Sequence, residues 1–351
     1  MSAGQRPWIV IVGGFLGSGK TSLMLEATKV LAQQGLRCAV VLNDQGEELV
    51  DTRQAQQNGV LAGEVTGGCF CCRLSGLMDV IENLRRWAPD VIFAEPVGSC
   101  TDISATVFGP LLEQFDRYRL APFTVLVDPA RAAALLAEDA DPEMAFLFRK
   151  QLEEADLVCM SKADLYPDAV GIPGVDVRFL SAASGFGVEE WLDEILRGTA
   201  AAGRTTLVID YGQYARAEAA LAWLNLSFAL ELEPAMAPAQ VIGPLLDGLD
   251  HALTAAGVAI VHLKAFDTSP TGWLKAAICA NGEEPKVDGN LDASPADRHE
   301  VLVNLRAKGD PALVRGIVEA ELTRLPAVAT DLRLDCFSPA APKPERRVVR
   351  A

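Results

Sequence analysis

Residues 14–21 read GFLGSGKT, directly behind the run WIVIV at residues 8–12 and directly ahead of SLMLEATKVLAQQG. The run is short and β-branched, the pattern of a strand buried on both faces. The stretch that follows puts Leu23, Ala27, Val30 and Leu31 on one helical face and closes at Gly35. A strand, a glycine-rich turn and a helix in that order leave few architectures open, because the turn has the G-x-x-x-x-G-K-[ST] spacing of a phosphate cradle. Gly14, Gly17 and Gly19 let backbone N–H groups close around phosphate oxygens. Lys20 brings a point charge to the β- and γ-phosphates, and Thr21 offers a hydroxyl to Mg²⁺. Nucleotide binding is the first expectation.

Further strand patterns lie at residues 37–43, 90–95, 123–128, 155–160 and 175–180, mostly separated by helical ones. Alternation of this kind predicts an α/β fold with a mostly parallel sheet covered on both faces. A closing helix at 188–196 and a small, polar linker at 197–205 end the first domain, placed at 1–200. The remainder reads as strand (220–233), helix (238–257), strands (258–266, 273–280, 300–307), helix (311–322) and strand (329–337). That order predicts a smaller C-terminal α+β domain, ferredoxin-like, over 205–337. The tail 338–351 is Pro-rich and basic and reads as frayed.

The chain has 351 residues and a formal net charge of -16. Such a charge repels phosphate backbones and anionic membranes, so neither nucleic acid nor membrane is expected as a partner. No apolar run approaches the ~20 residues of a spanning helix. The first residues lack a cleavage-site pattern, so a cytoplasmic location is expected. There thiols stay reduced, and a clump among the eight cysteines points to metal or catalytic chemistry before disulfides.

The clump is GGCFCCRLSG, with Cys69, Cys71 and Cys72 ahead of a helix whose apolar face is Leu74, Leu77, Met78, Ile81 and Leu84. A helix N-terminus favours thiolate, the form that binds Zn²⁺, Co²⁺ or Cu⁺. Three sulfurs fall short of a closed structural zinc site, and no second C-x-x-C pair exists, which suits an open transfer site. Cys69 and Cys71 are the expected main pair. Buried core thiols and a redox pair are the competing readings. Of the other cysteines, Cys38, Cys159 and Cys279 fall in predicted strands, Cys336 ends one, and Cys100 is ambiguous.

Base recognition is read from MSKAD (160–164) and FLSAASGFG (179–187). A carboxylate at Asp164 accepts from guanine N1–H and N2, donors that adenine lacks. Lys162 lays its stem over the base, and Ser181 and Ala182 bring backbone N–H groups to the guanine oxygen. Glu95 and Gly98, in FAEPVGSCTD, form an acid-x-x-glycine step that can hold Mg²⁺ and sense the γ-phosphate. The acidic loop LNDQGEELVD offers Asp44, Glu47 and Glu48 as further candidates.

In this order GGFLGSGKTSL, GGCFCC, E-P-V-G, SKAD and LSAASG resemble the CobW-type P-loop GTPases, a group related to the HypB and UreG nickel-enzyme maturation GTPases. The similarity covers roughly residues 8–200. It implies GTP binding with Mg²⁺, slow hydrolysis to GDP, and delivery of zinc, cobalt or a related metal to a client metalloprotein or corrinoid pathway. It places phosphate contacts at Gly17, Ser18, Gly19, Lys20 and Thr21, metal thiolates at Cys69, Cys71 and Cys72, the switch acid at Glu95, and base contacts at Lys162 and Asp164. A homodimer is among the expected assemblies. The base motif departs from the family in beginning with Ser161, and Pro96 and Val97 replace the usual switch threonine or serine. The His-rich stretch is missing: the three histidines, His251, His262 and His299, are dispersed. Two other classes stay open: a GTP-dependent activator that carries no metal itself, and an ATP-using small-molecule kinase.

Overall fold

The structure is a computed structural model that describes residues 6–46, 49–114, 116–198 and 200–349. Its contacts divide the chain into two units. One comprises residues 1–45, 58–217 and 341–351, and the other residues 46–57 and 218–340. Among the described residues no helix is long and apolar enough to cross a membrane.

In the first unit the chain runs β1 (Trp8–Gly13), α1 (Lys20–Gln33) and β2 (Cys38–Asn43). After α2 (Val50–Gln57), which belongs to the other unit, come β3 (Leu61–Val65), α3 (Leu74–Arg85) and β4 (Val91–Glu95). A π-helical turn, Ser104–Phe108, leads into α4 (Gly109–Leu112) and β5 (Arg119–Leu120). Then follow β6 (Thr124–Val127), α5 (Pro129–Leu136), α6 (Pro142–Glu154), β7 (Leu157–Met160), β8 (Val177–Phe179), α7 (Val188–Arg197) and α8 (Tyr211–Ala219). The sheet order is β3-β2-β4-β1-β6-β7-β8, with β5 also on β1 and every pair parallel. Ile9 to Val12 and Ile92 to Ala94 are fully buried, as near-continuous apolar runs demand in a sheet covered on both faces.

The sheet order sets the chemistry. Loops after β3, β4 and β1 leave the same, carboxyl edge of neighbouring parallel strands, where ligands bind in such sheets.

The second unit is built on β9 (Leu221–Met236), α9 (Pro238–Ala255), β10 (Ala259–Ser269), β11 (Gly272–Ile278), β12 (Lys286–Gly289), β13 (Ala296–Lys308), α10 (Pro311–Leu322) and β14 (Thr330–Phe337). The antiparallel order β12-β11-β10-β13-β9-β14 contains the ferredoxin-like arrangement β10-β13-β9-β14, extended by the β11–β12 hairpin. Alternate residues of β9 (Leu224, Leu226, Phe228, Leu230) pack with Leu245, Leu249 and Val318 of α9 and α10. On α2, Val50 packs with Phe266 and Leu302, and Asp51 accepts from Lys264 and Lys275. Burial pushes the Asp51 carboxyl up, but the two lysines outweigh it and hold it below its ordinary range. His299 is fully buried, with Nδ1 2.8 Å from Asp267 Oδ2 and Nε2 3.1 Å from two carbonyls, an interior structural role.

Candidate functional site

The phosphate loop takes its shape from its glycines. Gly14, Gly17 and Gly19 have φ of 130°, 80° and 92°, which residues with a Cβ rarely adopt. A Cβ on Gly14 would lie 2.2 Å from the Leu126 carbonyl oxygen. Lys20 Nζ donates to the carbonyls of Gly14 (2.9 Å) and Phe15 (3.3 Å) and lies 3.6 Å from Glu95 Oε1. Thr21 Oγ1 donates to Glu95 Oε2 at 2.7 Å. The hydroxyl of Ser18 is buried without a hydrogen-bond partner. A loop with an orphaned buried donor and a lysine on its own carbonyls fits a polyanion that satisfies both. The hard oxygens of Thr21 and Glu95 suit Mg²⁺.

Gly98 sits on this loop. A Cβ there would be 2.9 Å from Leu16 Cδ2 and 3.1 Å from its Cα, so the absence of a side chain lets the two loops touch. Gln151 Nε2 ties down the same segment, donating to the carbonyls of Gly98 (3.0 Å) and Cys100 (2.9 Å).

At the other end of the sheet Lys162 has φ of 57° and its ammonium pairs with Asp128, which also caps α5 through Ala130 N and Arg131 N. Ser161 Oγ donates to the Val127 carbonyl at 3.1 Å. Asp164 Oδ1 accepts from Ser181 Oγ at 2.5 Å. The backbone N–H of Ser181 is donated to Phe186 O at 2.8 Å, so the expectation that it faces a base oxygen does not hold in this conformation. The Ser181 side chain instead meets the Asp164 carboxylate.

The cysteine loop is built by a residue the sequence reading passed over. Asn43, at the end of β2, donates to the carbonyls of Val65 (2.9 Å) and Gly68 (2.8 Å) and accepts from Phe70 N (2.8 Å). An amide-bearing residue closing a buried strand was the available signal. Gly67 and Gly68 turn at φ of 71° and 155°, and Cys72 N and Arg73 N both bond to Cys69 O. The sulfurs of Cys69, Cys71 and Cys72 lie within 4.8 Å of one another; those of Cys69 and Cys71 are 2.7 Å apart and those of Cys71 and Cys72 3.6 Å apart. Cys69 and Cys71 are buried, Cys72 half-buried.

The three thiols differ in acidity. Hydrogen bonds from the Cys100, Cys71 and Cys72 thiols hold Cys69 well below the usual thiol range. The same contacts, Cys100 first, push Cys71 well up, and the bond to Cys69 pushes Cys72 up to about 11. The sulfur contacts thus favour ionisation at Cys69 and oppose it at Cys71 and Cys72.

Residues 341–349 run over this loop. Lys343 N donates to Cys72 Sγ (3.2 Å), Glu345 N to Cys71 O (3.0 Å), and the Glu345 carboxylate accepts from Ser75 N and Oγ (both 2.8 Å). Val348 N bonds to Ala105 O (2.8 Å). The tail is thus a strap on the cysteine loop where fraying was expected. Asp44 N bonds to Val65 O at 3.2 Å beside the loop, while Glu47 and Glu48 lie outside the described residues.

The family model described as CobW/HypB/UreG, nucleotide-binding domain, matches residues 8–175. The chain is 28% identical over 173 residues to the zinc chaperone YjiA of Escherichia coli K12, covering 46% of this chain and 51% of YjiA. It is 33% identical over 165 residues to the zinc chaperone YeiR of the same organism, covering 44% and 46%. It spans about half the length of the curated relatives it matches. Among solved structures, HypB from Helicobacter pylori in complex with nickel aligns at 16% identity and a TM-score of 0.43, over 57% of this chain and 92% of HypB.

Proposed function

We propose, from the match of residues 8–175 to the CobW/HypB/UreG nucleotide-binding domain, that the chain binds and slowly hydrolyses GTP and couples the nucleotide state to binding and handing over a transition metal. Members of this family are P-loop GTPases. The observation that carries the coupling is the shared sheet edge: the phosphate loop follows β1, Glu95 ends β4 and the cysteine loop follows β3, in the sheet order β3-β2-β4-β1.

Lys20, Ser18 and the glycine N–H groups hold the phosphates, and Asp164, oriented by Ser181, reads guanine. Thr21 and Glu95 hold Mg²⁺, which when bound neutralises charge building on the transferred phosphoryl group. Cys69, Cys71 and Cys72 take the metal cargo as thiolates. The names of the relatives favour zinc, with cobalt as the runner-up, and the recipient is a client metalloprotein or a corrinoid-pathway protein.

The test is titration of the reduced protein with Zn²⁺, Co²⁺, Ni²⁺ and Cu⁺, in GDP and in a non-hydrolysable GTP analogue. Metal affinity that differs between the two nucleotides supports the coupling; equal affinity overturns it. If Cys69→Ala with Cys71→Ala leaves client activation intact, the chain acts as an activator that carries no metal itself.

A further inference from the structure

Residues 341–349 cross the cysteine loop without forming helix or strand, and they are fastened at both ends. At one end Lys343 N donates to Cys72 Sγ (3.2 Å) and Glu345 N to Cys71 O (3.0 Å). The Glu345 carboxylate accepts from Ser75 N and Ser75 Oγ, both at 2.8 Å. Arg73, the residue ahead of α3, makes no capping bond with its side chain. Glu345 supplies from a distant segment the acceptor that this helix start lacks.

At the other end Arg347 bonds to Asp102 and gives Nη2 to Leu207 O (2.8 Å), and Val348 N bonds to Ala105 O (2.8 Å). Val348 also sits directly on the start of α4. A Cβ on Gly109 would lie 2.8 Å from Val348 Cβ and 3.1 Å from the Val348 carbonyl oxygen. The φ of Gly109 is -51°, ordinary helical backbone, so glycine is needed there for the close approach of the strap.

The thiol that the strap touches is the accessible one. Cys69 and Cys71 are buried and Cys72 is half-buried, so a recipient's ligand reaches the sulfurs from the side of Cys72, where Lys343 lies. A backbone N–H given to sulfur suits a thiolate whether or not it holds a metal, so a docked strap is compatible with a loaded site. The strap itself is held by a set of hydrogen bonds on a segment without regular structure, the kind that opens locally while the rest stays folded.

We propose that residues 341–349 gate the cysteine loop: metal enters and leaves when the strap lifts from Cys72, and the docked strap holds a loaded metal against exchange. This rests on the reading of the cysteine loop as the cargo site. A gate acts on rates. Lifting it opens the way in and the way out alike and leaves the sulfurs unchanged, so exchange speeds up while affinity stays nearly constant.

Two variants of the full chain lift the strap from opposite ends without touching a sulfur or a phosphate contact. Gly109→Ala drives a Cβ into Val348, and Glu345→Ala removes the acceptor from Ser75. The reduced protein loaded with Zn²⁺ is mixed with an excess of a chromogenic chelator, and zinc affinity is measured separately by competition. Transfer to the chelator should be about tenfold faster in each variant, with affinity changed by less than about threefold. Glu345 is exposed, so Glu345→Ala decides the matter if Gly109→Ala disturbs folding. Wild-type transfer rates overturn the gate, and so does faster transfer matched by an equal loss of affinity, which would make the strap part of the binding site. Cys69→Ser with Cys71→Ser separates the two levels. If it abolishes zinc binding while the strap variants exchange as the wild type does, the cargo site stands and the gate alone is excluded. If it binds zinc as the wild type does, the cargo reading fails and the gate with it.

Discussion

Arg347 Nε donates to Asp102 Oδ2 at 2.7 Å, and its Nη2 reaches Oδ1 of the same carboxylate at 3.3 Å. Asp102 is 1% exposed, has φ of 64°, and lies two residues beyond Cys100. Tyr211 Oη donates to the same carboxylate at 2.5 Å. One acid thus fastens the loop behind Glu95 to the strap whose Lys343 and Glu345 lie on the cysteine loop.

Arg347→Ala should therefore loosen the strap over Cys72. The rate of Cys72 modification by a soluble disulfide reagent should rise several-fold, and urea unfolding should show a loss of about 1–3 kcal/mol from the charge left with fewer partners. An unchanged labelling rate would mean that the strap does not shield the thiol.

The phosphate loop predicts a different split. Thr21→Ala removes the hydroxyl that meets Glu95 and should lower GTP turnover by about 10²-fold with a smaller effect on nucleotide affinity. Lys20→Ala should weaken both. Steady-state turnover with equilibrium binding of a fluorescent GTP analogue separates them; equal effects on turnover and affinity in Thr21→Ala would place its role in binding alone.

For base choice, Asp164→Ala should reduce the preference for GTP over ATP by about 10²-fold, since the guanine donors would lose their acceptor. Ser181→Ala should weaken it less, because Ser181 acts through Asp164. Competition binding with GTP and ATP measures both. A variant Asp164→Ala that still rejects ATP would move recognition to another residue.

How much of this was legible beforehand follows from what makes each element. β1 and β4 announce themselves because strands buried on both faces must be apolar throughout. β3 does not: its sequence is LAGEV, and the glycine is required because a Cβ on Gly63 would lie 2.5 Å from Val80 Cγ1 of α3. β12, KVDG, is exposed along its length and carries no apolar pattern. The glycine-rich turn between β1 and α1 was readable because its pattern is local. The strap was not, since nothing in KPERRVV encodes a partner at Asp102. Likewise the guanine reading gave Ser181 a backbone role, where its backbone N–H bonds to Phe186 and its hydroxyl to Asp164.

Glu154 supplies a pH-dependent prediction on the same loop. It is fully buried at the end of α6; Oε1 accepts from Thr101 Oγ1 at 3.0 Å and Oε2 from Ser104 N at 3.1 Å. Burial pushes its carboxyl from an ordinary 4.5 up to about 8. Between those values the folded chain keeps a proton that the unfolded chain has released. The stability this group contributes is therefore complete below the unfolded value, falls as pH rises toward about 8, and falls no further above it. The loss across that window is on the order of a few kcal/mol. Glu154→Gln matches the protonated acid in shape and can donate to Thr101 while accepting from Ser104. Urea unfolding at about pH 5, 7 and 9 should show a shallower decline for Glu154→Gln and a variant more stable than wild type at the highest pH. Parallel pH profiles would mean that Glu154 is ionised within the fold.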